Sequence, residues 1–216
     1  MSLDSLAPLI DHSVLKPEAT AQDVVNGVLE AEEFGCAAIC VCSCRVQLAV
    51  ATRTESTLRV ATVIGFPSGA FSGASKASEA AEAVDNGADE LDVVMNIGFF
   101  LDGDTESVAA DLEAVRAASE DRVLKVILET ALLSDDQIAA ACRLAVGAGA
   151  DFVKTSTGFH PSGGASVQAV ALMREVVGPD VGVKASGGIR SAADALAMVE
   201  AGATRIGTSS TRSMLV

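Results

Sequence analysis

The 216-residue chain is 50% hydrophobic and 20% charged, carries 15 Lys and Arg against 29 Asp and Glu, and has no Trp or Tyr. That apolar share supports a sizeable core and excludes disorder as the main state, while a formal charge of −14 excludes general nucleic-acid binding unless a basic patch overcomes it, and no such run occurs. No run of about 18 uncharged apolar residues suits a membrane span, and the N-terminus lacks the basic segment of a secretory signal, so a soluble, cytoplasmic protein is expected.

Along the chain, β-branched runs alternate with Ala-rich stretches of helical period. A strand is predicted at 9–13, a helix at 20–34, a strand at 37–41, a helix at 45–52, a strand at 59–64 and a helix at 75–86. Then come a strand at 90–95, a helix at 105–118, a strand at 123–128, a helix at 135–146, a strand at 151–155 and a helix at 166–177. The last elements are a strand at 182–185, a helix at 192–200, a strand at 205–207 and a short helix from Ser209. Eight strands, each followed by a helix at about 27 residues per unit, fit the lower size limit of a (β/α)8 TIM barrel better than an open doubly wound sheet. One barrel domain over 1–216 is expected. Gly35, Gly87, Gly149 and Gly202 recur at helix-to-strand junctions before even-numbered strands; each suits a left-handed helix terminus.

Five cysteines, four of them between Cys36 and Cys44, are an odd set poorly spaced for disulfides or a structural zinc site. Reduced, small, buried side chains are expected. With only His12 and His160, and no H-E-x-x-H, a zinc mechanism is disfavoured. Neither the P-loop pattern nor a strand-linked G-x-G-x-x-G occurs, so no metal and no cofactor are assigned. The acid excess and the Ala-rich composition suggest a cytosol of high ionic strength, where screening removes self-repulsion.

The chemistry gathers at predicted strand ends, where barrel active sites lie. Strand six, Asp151-Phe152-Val153-Lys154-Thr155, and strand seven, Gly182-Val183-Lys184-Ala185, each bring a lysine to the C-terminal end. Two inward ammonium groups on neighbouring strands disfavour each other's protonation, an established way to make one lysine nucleophilic toward a carbonyl carbon. Only five lysines exist, and two hold these adjacent ends. Asp92, on the inward face of strand four with Val94 and Asn96, needs cationic partners if buried and is a candidate proton shuttle or charge-balancing ion. Gly187 and Gly188 after strand seven, with Gly207, Ser209 and Ser210 after strand eight, form a candidate anion site at the usual barrel phosphate position. Arg190, just beyond, either adds charge there or pairs with a surface acid.

At these residues the sequence resembles the deoxyribose-phosphate aldolase family of class I aldolases. The resemblance covers nearly the whole chain, through Ile10-Asp11-His12-Ser13, Thr62-Val63-Ile64-Gly65-Phe66-Pro67, Gly87-Ala88-Asp89-Glu90-Leu91-Asp92-Val93-Val94, Val153-Lys154-Thr155-Ser156-Thr157-Gly158-Phe159 and Lys184-Ala185-Ser186-Gly187-Gly188-Ile189-Arg190. It implies that Lys154 forms an imine with acetaldehyde, that Lys184 depresses its pKa and that Asp92 relays protons through water. The implied reaction is reversible cleavage of 2-deoxy-D-ribose 5-phosphate. Thr157 and Gly158, with the glycines and serines above, become substrate and phosphate loops, and a homodimer or homotetramer is implied. Three departures stand out: Phe159 replaces a phosphate-contacting lysine of some members, the C-terminal tyrosine of others is missing, and Ser43-Cys44-Arg45 replaces an Asn-Pro or Tyr-Pro turn. Alternatives are a Schiff-base barrel aldolase for a larger sugar phosphate and a non-catalytic barrel that binds phosphometabolites.

Overall fold

The computed structural model describes residues 5–119 and 121–216. Eight parallel strands follow one another around a closed barrel in chain order: β1 Ile10–Val14, β2 Ala38–Cys42, β3 Arg59–Ile64, β4 Glu90–Val94, β5 Val123–Ile127, β6 Phe152–Lys154, β7 Gly182–Ser186 and β8 Arg205–Thr208. Closure is by β1, which pairs with both β2 and β8. Around it run α1 Ala21–Phe34, α2 Val46–Thr52, α3 Gly73–Asp85, α4 Ile97–Leu101, α5 Thr105–Ala118, α6 Asp135–Gly147, α7 Val167–Val177, α8 Ala192–Glu200 and α9 Thr211–Leu215. This is the expected (β/α)8 architecture.

Local chemistry sets the helix boundaries. Thr20, Ser134 and Ser191 close reciprocal capping boxes with Asp23, Gln137 and Asp194, which satisfies otherwise orphaned backbone donors. At the other ends Gly35, Gly87, Gly149 and Gly202 all have positive φ. Their amides and those of the following residues bond back into the last helical turn, as from Gly87 to Val84 and from Ala88 to Ala83. These paired closures turn the chain into β2, β4, β6 and β8.

Because side chains alternate along a strand, the barrel separates two interiors. Outward residues such as Leu91 and Val93 join the large apolar core beneath the helices. Inside, β2 and β3 present the small apolar residues Ala38, Cys40, Ala61 and Val63, and the remaining strands present charge.

Several elements differ from expectation. The sixth strand is only Phe152–Lys154; beyond it the Thr155 amide still donates to the Lys184 carbonyl, but the Ser186 amide donates to the Thr155 hydroxyl rather than to its backbone carbonyl. The last helix begins at Thr211, not Ser209. Helix α4, capped by the Asn96 side chain, had no predicted counterpart; five residues give no helical period to detect. The cysteines remain thiols, but Cys44 is exposed and Cys42 half-buried. Beyond β2 the chain enters a 3-10 turn, Ser43–Arg45, at the barrel mouth, where alternation into the interior ends. Among the described residues, no helix is long and apolar enough to cross a membrane.

Candidate active site

Six strands place seven charged side chains on one connected network: Asp11 from β1, Glu90 and Asp92 from β4, Lys125 from β5, Lys154 from β6, Lys184 from β7 and Arg205 from β8. Asp92 is its centre. Its Oδ2 accepts from Lys154 and from Lys184, both at 2.7 Å, and its Oδ1 accepts from Lys125 at 2.6 Å. Lys184 also donates to Asp11, whose other oxygen accepts from Arg205 at 2.6 Å. Glu90 completes the set, 2.6 Å from Lys125 and 3.2 Å from Arg205. At the far end the Arg205 guanidinium lies over the Phe152 ring, 5.4 Å from its centroid.

Burial is nearly complete, with Asp92, Lys125 and Lys184 at 0% exposure and Lys154 at 3%. Charges so buried persist only when each is matched by neighbours, and the pKa shifts follow from how many each one has. Burial alone would push Asp92 up, but Lys125, Lys154 and Lys184 hold it well below the usual carboxylate range. Asp11, opposed by burial and favoured by Lys184, Lys125 and Arg205, comes down to about 2. Lys184 would be lowered by burial, yet Asp11 and Asp92 raise it above an ordinary lysine. Lys154 is the exception among the three lysines of this network. Burial lowers it, Asp92 opposes, and Lys184 lowers it further.

The expected juxtaposition is therefore present: Lys154 and Lys184 are register partners on adjacent strands, and both reach Asp92. One correction concerns cause, since burial rather than Lys184 is the leading influence on Lys154. Lys76 and Lys125 are fully buried too, so burial of a lysine does not by itself identify a site in this chain. What sets Lys154 apart is access: of the network's cations, it is the one that lines a cavity of about 730 Å³ at the C-terminal mouth.

All seven residues expected to hold substrate or phosphate, Thr157, Gly158, Gly187, Gly188, Gly207, Ser209 and Ser210, line the same cavity. Their capacities differ. The Ser210 amide already donates to Thr208 Oγ1 at 3.0 Å, and the Thr157 hydroxyl donates to Glu129 at 2.5 Å, so neither of those donors faces a ligand. Gly207 serves by its size, because a Cβ there would sit 3.1 Å from Lys184 Cε and 2.9 Å from Ser186 Cβ. Arg190 is exposed on the cavity rim, and among the described residues it forms no ion pair. Phe159 packs edge-on against Phe66, ring centroids 5.1 Å apart, and gives the mouth an aromatic wall. Across the barrel, burial and the Asp92 charge push the Cys40 thiol up to about 11, so it stays neutral near pH 7.

Asp11, Glu90, Lys125 and Arg205 carry the network but were not singled out from sequence. Lys125 has the clearest signal, a charge in the middle of the apolar run Val123-Leu124-Lys125-Val126-Ile127, the same pattern that exposes Asp92.

Residues 6–215 match the family model described as DeoC/LacD family aldolase. Over 211 residues the chain is 57% identical to the deoxyribose-phosphate aldolase of Kocuria rhizophila, covering 97% of this chain and 95% of that one. A solved structure from Coccidioides immitis superposes with a TM-score of 0.96 at 43% identity, covering 100% of this chain and 86% of that one. The tetrameric deoxyribose phosphate aldolase from Aeropyrum pernix gives a TM-score of 0.88 at 35% identity, over 99% and 91% of the two chains.

Proposed function

Because the chain belongs to the DeoC/LacD aldolase family, we propose that it performs the reaction named for its relatives, the reversible cleavage of 2-deoxy-D-ribose 5-phosphate to D-glyceraldehyde 3-phosphate and acetaldehyde. It is an aldolase, a carbon-carbon lyase. The observation that carries the residue assignment is the access of Lys154: a lysine lowered by burial, bonded to a buried carboxylate, and open to a sugar-sized cavity.

Neutral Lys154 attacks the C1 aldehyde of the open-chain sugar, and the carbinolamine loses water to give a protonated imine. That nitrogen is the electron sink. As the C2–C3 bond breaks, its electron pair moves into the enamine, and the C3 hydroxyl gives up its proton as glyceraldehyde 3-phosphate leaves. Protonation of the enamine and hydrolysis of the imine then release acetaldehyde. Asp92 serves as the proton shuttle, acting through water. Its carboxylate is a weak base while three ammonium groups surround it, and it becomes more basic when Lys154 is neutral in the carbinolamine, because one of those charges is gone. Lys184, raised by Asp11 and Asp92, stays cationic throughout and keeps Lys154 from regaining its proton.

The phosphate is assigned to the amides of Gly187, Gly188 and Ser209, the Ser210 hydroxyl and the Arg190 guanidinium on the cavity rim. With Phe159 where some relatives have lysine, backbone donors and Arg190 carry the affinity. The reading extends to one barrel domain over 1–216, a homodimer or homotetramer, and a cytoplasmic location; the tetramer of the Aeropyrum pernix relative supports an oligomer.

A retro-aldol assay tests the function directly. Turnover of deoxyribose 5-phosphate, absent with fructose phosphates and lost in Lys154→Ala, is the expected result. No turnover by the folded protein would leave the non-catalytic barrel in its place.

A further inference from the structure

Alternation along β1 sends Ile10, His12 and Val14 toward the helices, while Asp11 enters the barrel network. Ile10 belongs to the apolar core and Val14 packs against it, so His12, 6% exposed, is a polar ring between apolar neighbours. Helix α1 approaches this face closely at Gly27, where a Cβ would lie 2.6 Å from Val14 Cγ2 and 3.5 Å from His12 Cδ2.

A buried polar ring needs a partner. His12 finds it in α9, where its Nδ1 and the hydroxyl of the fully buried Thr211 share a hydrogen bond of 2.8 Å. Glu30 of α1, 3.9 Å from the same nitrogen, already accepts the Arg212 amide at 3.2 Å. Burial lowers the pKa of the ring against the Glu30 charge, so His12 is neutral near pH 7 and brings no charge to the cavity it lines.

Position is what the bond supplies. His12 and Thr208 are register partners across β1 and β8. The Thr208 hydroxyl donates to the Ile189 carbonyl at 2.8 Å and accepts from the Ser210 amide at 3.0 Å. Thr208 thus anchors the chain as it leaves β8 and ties it to the loop after β7, and His12 anchors it again at Thr211. Ser209 and Ser210 line the cavity between these two anchors.

We propose that His12 is a positioning residue for the phosphate: through Thr211 it holds Ser209 and Ser210 so that the Ser209 amide and the Ser210 hydroxyl meet the phosphate group of the substrate. The inference rests on the aldolase reading and on the phosphate assignment made with it. A residue that aligns only the phosphate contacts affects binding and leaves the chemistry at Lys154 intact, whereas a brace of the whole barrel affects both.

The test measures kcat and KM for 2-deoxy-D-ribose 5-phosphate, the inhibition constant of inorganic phosphate, and trapping of the acetaldehyde imine on Lys154, a step that involves no phosphate. His12→Leu keeps the apolar pattern of this face and removes the ring nitrogens; Thr211→Val removes the hydroxyl from the other side. Each is expected to raise KM and the phosphate inhibition constant about tenfold. In both, kcat should stay within about twofold of the parent and imine trapping should persist. The double variant should go no further than either single one, as one shared contact requires, and Thr211→Ser, which keeps the hydroxyl, should retain the parent constants. Unchanged KM and phosphate inhibition in the folded single variants, or a loss in which kcat and imine trapping fall together with phosphate binding, overturns the proposal. Failure of both single variants to fold would make the bond a brace of the whole barrel and overturns it too. A parent chain that forms no imine overturns the aldolase reading, and one that forms the imine but is not inhibited by phosphate overturns the phosphate assignment; the proposal falls with either.

Discussion

Two buried lysine–carboxylate clusters in this molecule use the same residue types to different ends. On the barrel axis, Asp92 is shared by three lysines and Asp11 by two lysines and an arginine. Between α3 and α5, Lys76 meets Asp111 alone at 2.6 Å, with the Val94 carbonyl as its other partner at 2.8 Å. Among the described residues, the buried Asp111 Oδ1 has no hydrogen-bond partner. The consequence appears in the pKa values. On the axis, counter-charges overcome burial and Asp11 falls to about 2; between the helices burial wins, so that Asp111 is raised and Lys76 lowered. Thus Lys76 and Lys154 are both buried and both lowered. Only the second lines the cavity, and access rather than a shifted pKa separates the proposed nucleophile from Lys76.

Substitutions break this comparison most sharply. Lys154→Ala should lower kcat by at least about 10⁴-fold with the fold retained. Lys76→Met should leave kcat of the folded protein unchanged and cost about 3–5 kcal/mol in denaturant unfolding, because Asp111 loses its counter-ion. The reverse pattern would exchange the roles of the two clusters.

A double variant sharpens the point. Lys76→Met with Asp111→Leu removes both charges and the unpaired oxygen, and replacing a weakly matched buried pair by apolar residues is commonly neutral or stabilising by about 1–4 kcal/mol. Unfolding of the single and double variants should therefore show recovery in the double one. Continued loss would mean that the helix pair is matched as well as the axial network.

Acid titration separates the clusters by sign. A carboxylate held low in the folded state stabilises it above the unfolded pKa, and that contribution is lost as pH falls toward the folded value. For Asp11 the window runs from 3.8 down to about 2, and Asp92 adds in the same direction. Asp111, raised when folded, acts oppositely, since its protonation on acidification favours the native state. Unfolding free energy measured from pH 5 to pH 2 should fall in the parent chain and at least as steeply in the double variant. A flat profile in the double variant would place the acid sensitivity between the helices. The smallest expected effect is global: screening of the net charge of −14 should raise the melting temperature in molar KCl.

Much of this contrast was legible in the sequence, for a reason that also explains the omissions. Asp92, Lys154 and Lys184 interrupt apolar β-branched runs, where alternation forces a charge inward. Lys125 does the same, but no glycine-rich loop follows its strand to mark it as part of a site. Arg205 and Glu90 open their strands, a position where charge is ordinary. Lys76 read as one polar residue on an Ala-rich helix; nothing local shows that Asp111, thirty-five positions away, receives it. Glu129 is hidden for another reason: its backbone is left-handed, and at a non-glycine residue that conformation is imposed by tertiary contacts. The closing glycines of α1, α3, α6 and α8 lie at the opposite extreme, because their conformation is a local requirement written in residue type.

Borohydride reduction in the presence of acetaldehyde, followed by peptide mapping, tests the central claim most directly. An ethyl adduct on Lys154, absent from Lys76, Lys125 and Lys184, is the predicted result; an adduct on one of those lysines instead, or none on the folded protein, would contradict it.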